Sequence, residues 1–151
     1  MNRLIVRKSL RRLELWQKGK KTGSWPIGLG KTPLGPKYQA GDGRTPEGWY
    51  YLCTRNPKSK FHLSLGISYP NPIDASKGLD QGILTKTEAE AICKACKEKK
   101  RPPWDTALGG EIMLHGGGAW DWTAGCIAVT DQVMDLLWEN CPLGMEILIL
   151  P

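Results

Sequence analysis

From Trp25 to Leu52 the chain reads WPIGLGKTPLGPKYQAGDGRTPEGWYYL, a passage punctuated throughout by glycine and proline. No helix runs through such a stretch. Proline removes a backbone donor and clashes with the preceding turn, and glycine costs about 1 kcal/mol against alanine in a helix interior. Nor is it a linker, because Trp, Ile, Leu and Tyr recur along it. It reads as ordered turns and loop leading into a strand at Trp49–Leu52. With 18 Gly, 11 Pro and 7 Trp against one Phe, the chain favours a turn-rich, mostly β protein over a helical bundle. A length of 151 residues suits one domain, 1–151. Such a chain buries about two thirds of its unfolded surface in one core.

The flanking segments carry the strand pattern. Leu4 and Val6, then Leu13 and Leu15, alternate around a QKGKKTG turn. In FHLSLGIS, Phe61, Leu63, Leu65 and Ile67 fall on one face and His62, Ser64 and Gly66 on the other. EIMLH is a short strand delivering His115, and MEILIL closes the chain. Two helices are expected. The first is TKTEAEAICKACKEKK, with Thr87 and Glu90 at capping-box spacing and an apolar stripe of Ala89, Ile92, Cys93 and Cys96. The second is capped by Thr130 or Asp131 and presents Val133, Met134, Leu137, Trp138 and Cys141.

Several functions are disfavoured by what these residues do. The net charge of +6 suits any polyanion, but the basic residues are scattered and no basic-aromatic stripe of a nucleic-acid reader is present. No apolar run reaches the roughly 18 residues of a membrane span, and the basic N-terminus lacks the apolar region of a secretory signal. GLGKTP is no phosphate loop, because Trp25 stands where that motif needs its first glycine. Cys93 and Cys96 form a CxxC inside a helix, without the second ligand pair zinc needs or the helix-start position of a redox pair. They read as buried structural thiols. Five cysteines leave at least one without an intramolecular partner.

The chemistry concentrates in HGGGAWDWTAGC, from His115 to Cys126. A cysteine attacks acyl groups as thiolate, so it needs an imidazole within reach. His115 at one strand end and Cys126 at the start of a neighbouring strand would meet. Backbone N–H groups around Ala124, Gly125 and Cys126 would then hold an oxyanion. The pattern alone equally allows a packed cysteine and a hydrogen-bonded loop histidine. Asp121 either orients His115 or forms a turn. Trp120 and Trp122 either wall a groove or pack the loop down.

IMLHGGG…DWTAGCIAVTD resembles the catalytic signature of the L,D-transpeptidase (YkuD-type) family: a His, a loop, then Ser/Thr-x-Gly-Cys. LGPKYQAGDGRTPEGWYYL, FHLSLGISYPN, PPWDTALGGEIMLHG and PLGMEILIL are similar to the family in the same order, so the likeness covers nearly the whole chain. It implies a mostly β, sandwich-like or barrel-like domain with Cys126 as nucleophile, His115 as base and Gly125 in the oxyanion site. Thr123 matches the Ser/Thr position. Ala124 stands where the family often has His, and Ala128 where Arg or Asn often follows the cysteine. His62 and Tyr69 lie in matching segments and are expected to line the cleft with Trp122, although Tyr69 before Pro70 also suits a turn-packing role. The resemblance implies peptidoglycan stem peptides as partners, no metal or cofactor, and a place in the periplasm or cell envelope. A monomer is expected. The acyl acceptor is an amine, or water in an L,D-carboxypeptidase; a non-catalytic wall-binding module is the alternative of another class.

Overall fold

Leu4, Val6, Leu13 and Leu15 are all buried, so the segments carrying them share one inward face. The computed structural model describes every residue from Met1 to Pro151. Strands β1 (Arg3–Arg7), β2 (Arg12–Gln17) and β3 (Lys20–Pro26) form an antiparallel meander. Lys18 and Gly19 join β2 to β3 with φ of 51° and 76°, the paired positive angles of a tight hairpin turn.

Five more strands follow: β4 (Gly48–Ser59), β5 (His62–Ile67), β6 (Met113–His115), β7 (Ile127–Ala128) and β8 (Glu146–Leu150). They complete an eight-stranded sheet in the order β3-β2-β1-β8-β4-β5-β6-β7. The ends of that order come back together. Gly28, just past β3, exchanges N–H···O bonds of 2.8 and 3.0 Å with Ala128 of β7. A Cβ at Gly28 would collide with the backbone of Trp120, so this approach requires glycine. The result is a mostly β, curled sheet around one core. Leu4, Leu13, Leu52, Leu65, Leu114 and Ile127 are fully buried and all sit on strands. Each such burial is worth about 1.5–3 kcal/mol, so the sheet carries the fold.

Three helices are present, one more than expected. The additional α1 (Pro72–Asp80) starts from Asn71 in a capping box with Asp74. Its apolar periodicity is too weak to read, since Ala75 and Gly78 are its only buried residues and Ile73 and Leu79 face outward. In α2 (Lys86–Lys97) the capping box is Thr85 with Glu88, two residues before the expected pair. Both pairs have the same spacing, and the helix begins where Leu84 enters the core. The buried stripe of α2 stops at Ala89 and Ile92; Cys93 is exposed and Cys96 half-buried, so neither is a core thiol. All five cysteines are free.

α3 (Asp131–Asn140) is capped by Thr130 and buries Val133, Met134 and Leu137. The Arg55 guanidinium on β4 donates to the carbonyls of Trp138 and Cys141 at 2.9 and 3.1 Å, satisfying orphan acceptors at its C-terminus. From Ser64 to Ile67 both faces of β5 are buried: Leu65 and Ile67 face the core with α3, and Gly66, on the face expected to be wet, lies under Thr54 and Trp104. No helix is long and apolar enough to cross a membrane.

Candidate active site

β6 and β7 run parallel, with Leu114 opposite Ile127 and His115 opposite Ala128. Leu114 and Ile127 fill the core, so alternation turns His115 and the residue before Ile127, Cys126, to the other face. The loop from Gly116 to Gly125 folds over that face and leaves His115 only 3% exposed.

The imidazole is held from three directions. Its Nδ1 lies 2.6 Å from the carbonyl of Gly116, an acceptor, so Nδ1 bears the proton and Nε2 keeps a basic lone pair. Phe61 stacks on the ring at 4.8 Å and Trp122 meets it edge-on at 5.4 Å. The Trp122 indole is itself fixed by donating to Gly118 O at 3.0 Å. Burial among these rings pushes the His115 pKa below the ordinary imidazole value, opposed by the Gly116 carbonyl, and keeps it neutral.

The thiol also rests neutral. Burial raises the Cys126 pKa; the Met113 N–H, which donates to Sγ at 3.3 Å, works against that rise. Glu111 raises it further and Lys37 lowers it. Sγ donates to the Glu111 carbonyl at 3.5 Å and shares no hydrogen bond with the imidazole.

Around the thiol the loop is tied by hydroxyls. Thr123 Oγ1 donates to Cys126 O at 2.7 Å and accepts from Gly125 N at 3.2 Å. Thr45 Oγ1 donates to Gly125 O at 2.8 Å and accepts from Gly30 N at 3.1 Å. Gly125 has φ of 137°, and a Cβ there would sit 2.6 Å from Arg44 O. Its N–H is engaged by Thr123, whereas the N–H groups of Ala124 and Cys126 meet no protein acceptor. Two unpaired backbone donors thus flank Gly125, whose conformation sets the backbone between them. Sγ opens onto a cleft of about 320 Å³ whose lining includes Lys37, Ala40, Trp104, Glu111 and Ala124.

Residues 1–149 match the YkuD family, the L,D-transpeptidase catalytic domain. The chain belongs to this family. Among curated proteins it is 27% identical over 109 residues to "Putative L,D-transpeptidase YafK" of Escherichia coli (strain K12), covering 70% of this chain and 31% of that protein. It thus spans less than a third of that relative's length. In fold it is similar to Bdellovibrio bacteriovorus Bd1075, with 24% identity and a TM-score of 0.65 over 99% of this chain and 47% of that one. The helical cell shape determining protein Pgp2 of Campylobacter jejuni gives 21% identity and a TM-score of 0.69 over 98% of this chain and 46% of the other. Members of the YkuD family act on peptidoglycan.

Within this YkuD domain His62 is placed away from the cleft, and Asp121 and Tyr69 take structural roles, the alternatives open to each. Asp121 does not orient His115. Its carboxylate pairs with Arg11 at 2.8 Å and accepts from Leu29 N at 2.9 Å, which clamps the loop to the chain just past β3. His62 turns its ring to Asp135 on α3, 2.6 Å away, and does not line the cleft. Tyr69 is wholly buried and donates to Leu108 O at 2.8 Å, a packing role under the cleft floor. Trp122 packs the loop onto His115, and Trp120 remains largely exposed.

Sequence reading missed the wall of the site. Lys37 and Asp42 form a buried ion pair at 2.9 Å, with Lys37 in the cleft lining. Lys8 is buried too, bound to Glu47 at 2.9 Å and to Thr45 O at 2.7 Å. These pairs organise the Gly/Pro-rich passage. Their only trace in the sequence is isolated charges within it, and their partnership depends on the fold.

Proposed function

We propose that residues 1–151 act as a single catalytic domain, a cysteine-dependent L,D-transpeptidase of peptidoglycan stem peptides. The reading rests on one arrangement. Cys126 Sγ stands at the cleft, and the imidazole on the same face of β6 and β7 has Nδ1 anchored and Nε2 free to take a proton.

In the first half-reaction Sγ gives its proton to Nε2 and bonds to the carbonyl carbon of the stem's L-centre residue. The carbonyl oxygen becomes an oxyanion between the N–H groups of Ala124 and Cys126. Such a donor is worth about 2.7–4 kcal/mol in the transition state. Collapse breaks the C–N bond, and the terminal D-alanine leaves with the imidazolium proton on its nitrogen. In the second half an amine of another stem attacks the thioester carbon. Its surplus proton passes through His115 to the departing sulfur. Protons and electron pairs balance among these groups. Thr123 and Trp122 serve by holding the loop, and Ala124 leaves the donor side unobstructed where a larger side chain would crowd it. The substrate's location sets the place of action in the periplasm or cell envelope.

The test is incubation of the protein with disaccharide tetrapeptides, read by mass spectrometry. Cross-linked dimers establish an amine acceptor; tripeptides alone establish water, hence an L,D-carboxypeptidase. Cys126→Ala is expected to lose on the order of a million-fold in rate, the scale seen when a covalent nucleophile is removed. Activity equal to the parent overturns the assignment. Because Cys93 is exposed, general alkylation discriminates poorly, and acylation by a carbapenem is the better probe. Slow labelling at every cysteine would favour a wall-binding module.

A further inference from the structure

Glycines follow the histidine at 116 and 117, and the peptide that joins them is hydrogen-bonded at both ends. Its carbonyl accepts from His115 Nδ1 at 2.6 Å, and its N–H donates to Asp131 Oδ1 at 3.0 Å. A single planar group therefore stands between a carboxylate and the imidazole. Resonance couples the two ends of a peptide, so a strong acceptor on the N–H leaves more negative charge on the oxygen. A more negative Gly116 O favours the imidazolium, which donates from Nδ1 more strongly than the neutral ring does. The same carbonyl opposes burial in setting the His115 pKa.

The needs of α3 do not account for where Asp131 reaches. Thr130 already caps that helix, taking the Val133 N–H on its hydroxyl at 3.3 Å. A carboxylate in the first turn gains from the helix dipole without contacting any other segment. This one contacts Gly117, and a Cβ at Gly116 would collide with Asp131 Oδ1 and with Phe61 O. The neighbouring peptides are pinned as well. Gly116 N–H donates to Phe61 O at 2.9 Å, and Gly118 N–H to Val129 O at 3.0 Å. The peptide between them is thus held in one orientation. Phe61 and Trp122, which face the imidazole, do not titrate. His62 of β5 lies within the field of Asp131 but pairs with Asp135 of α3 at 2.6 Å, leaving Asp131 to the Gly117 N–H.

We propose that Asp131 is a positioning residue for the base, acting on His115 through the Gly116–Gly117 peptide. No proton crosses that peptide. The Nδ1 proton stays on the ring while Nε2 takes and returns the proton of the reaction. A Ser-His-Asp triad sets its carboxylate directly on the imidazole; here one peptide group intervenes. Asp131 is exposed, so solvent screens its charge and keeps the effect modest. Its part in catalysis rests on the transpeptidase reading above, whereas its coupling to His115 does not.

Asp131→Asn keeps an acceptor for the Gly117 N–H and removes the charge. With disaccharide tetrapeptides kcat should fall roughly two- to fivefold, the scale of exchanging a screened charge-assisted hydrogen bond for a neutral one. The imidazolium loses support, so the His115 pKa falls and the acid limb of kcat/KM moves to lower pH. A merely structural role predicts the reverse, because a loosened loop wets the ring and moves the limb to higher pH. The chain has two histidines, so NMR titration of the rings, with His62→Gln for assignment, follows His115 in folded protein alone. Asp135→Asn removes a carboxylate from the same helix without touching Gly117, and should leave the His115 titration in place. A His115 titration unmoved or raised in Asp131→Asn, or lowered equally in Asp135→Asn, overturns the proposal. A parent inert toward stem peptides and unlabelled by carbapenem, with the titration still lowered in Asp131→Asn, overturns the transpeptidase reading and leaves the coupling standing.

Discussion

The surroundings of His115 and of Glu111 are built on different physical terms. On the His115 side Phe61, Trp122 and the Gly116 carbonyl enclose the imidazole and hold it neutral in one tautomer. On the Glu111 side the wall is open and carries charged groups with few partners. A closed, apolar flank tunes a base, because burial penalises its charged form. An open, charged flank reads a ligand, because its groups stay solvated until something complementary arrives.

The largest effect expected in breaking that contrast comes from the closed flank. His115→Gln keeps a polar group in place but removes the proton acceptor, and kcat should fall about 100- to 10,000-fold. Carbapenem acylation of Cys126 should slow in parallel. A loss in KM alone would show that the imidazole binds rather than catalyses.

Phe61→Ala sharpens the comparison by wetting the base without touching it. The His115 pKa, now held below 6.5 by burial, should rise toward that value. His115 must be neutral to act, so the acid limb of kcat/KM should move to higher pH. Activity near pH 6 should then drop more than activity near pH 8. A limb displaced to a pH higher by about one would cost up to about tenfold on the acid side. An unmoved limb would mean that Phe61 does not shield the ring.

The smallest effect belongs to Asp121→Asn. The Arg11 guanidinium holds the Asp121 carboxyl below the usual carboxylate range, burial opposes this, and the Leu29 N–H supports it. Both partners are about a third exposed, so screening limits the pair, and thermal unfolding should show a loss of about 0.5–1 kcal/mol. The folded pKa is depressed, so this contribution is present above the unfolded carboxylate value and disappears as pH falls through the folded one. Parent and variant should converge once pH falls below the depressed value of the folded carboxyl. The acid limb of kcat/KM should stay where it is; a shift would restore Asp121 as a partner of His115.

Much of this molecule was legible because its signals are local. Leu4, Val6, Leu13 and Leu15 announced their strands by alternation, and all are buried. Thr130 capped α3 as expected, and Val133, Met134 and Leu137 are its buried face. The segment α1 was missed because its cap is clear but its apolar stripe is not. Cys93 was misplaced because helical spacing gives a face and not its neighbours, and α2 is too peripheral to bury it.

The site divides along the same line. That His115 and Cys126 would share a face, with a constrained glycine before the cysteine, was readable from strand alternation and residue type along twelve positions. His62 and Tyr69 were placed at the cleft by matching segments, with turn packing open for Tyr69, and Asp121 was weighed as a partner of His115 or a turn former. Their side chains instead bind Asp135, Leu108 O and Arg11.

By itself the sequence determined a mostly β chain and singled out one cysteine and one histidine as candidates, because periodicity and functional-group chemistry reside in single residues and short intervals. Only the tertiary structure decided which nitrogen of His115 is free, that Phe61 and Trp122 dry it, and that Lys37, Trp104 and Glu111 converge on the other flank. Those facts depend on long-range pairing, such as Gly28 with Ala128, where the curled sheet brings distant segments within hydrogen-bond reach. No local pattern encodes which of many polar side chains will meet once the sheet closes.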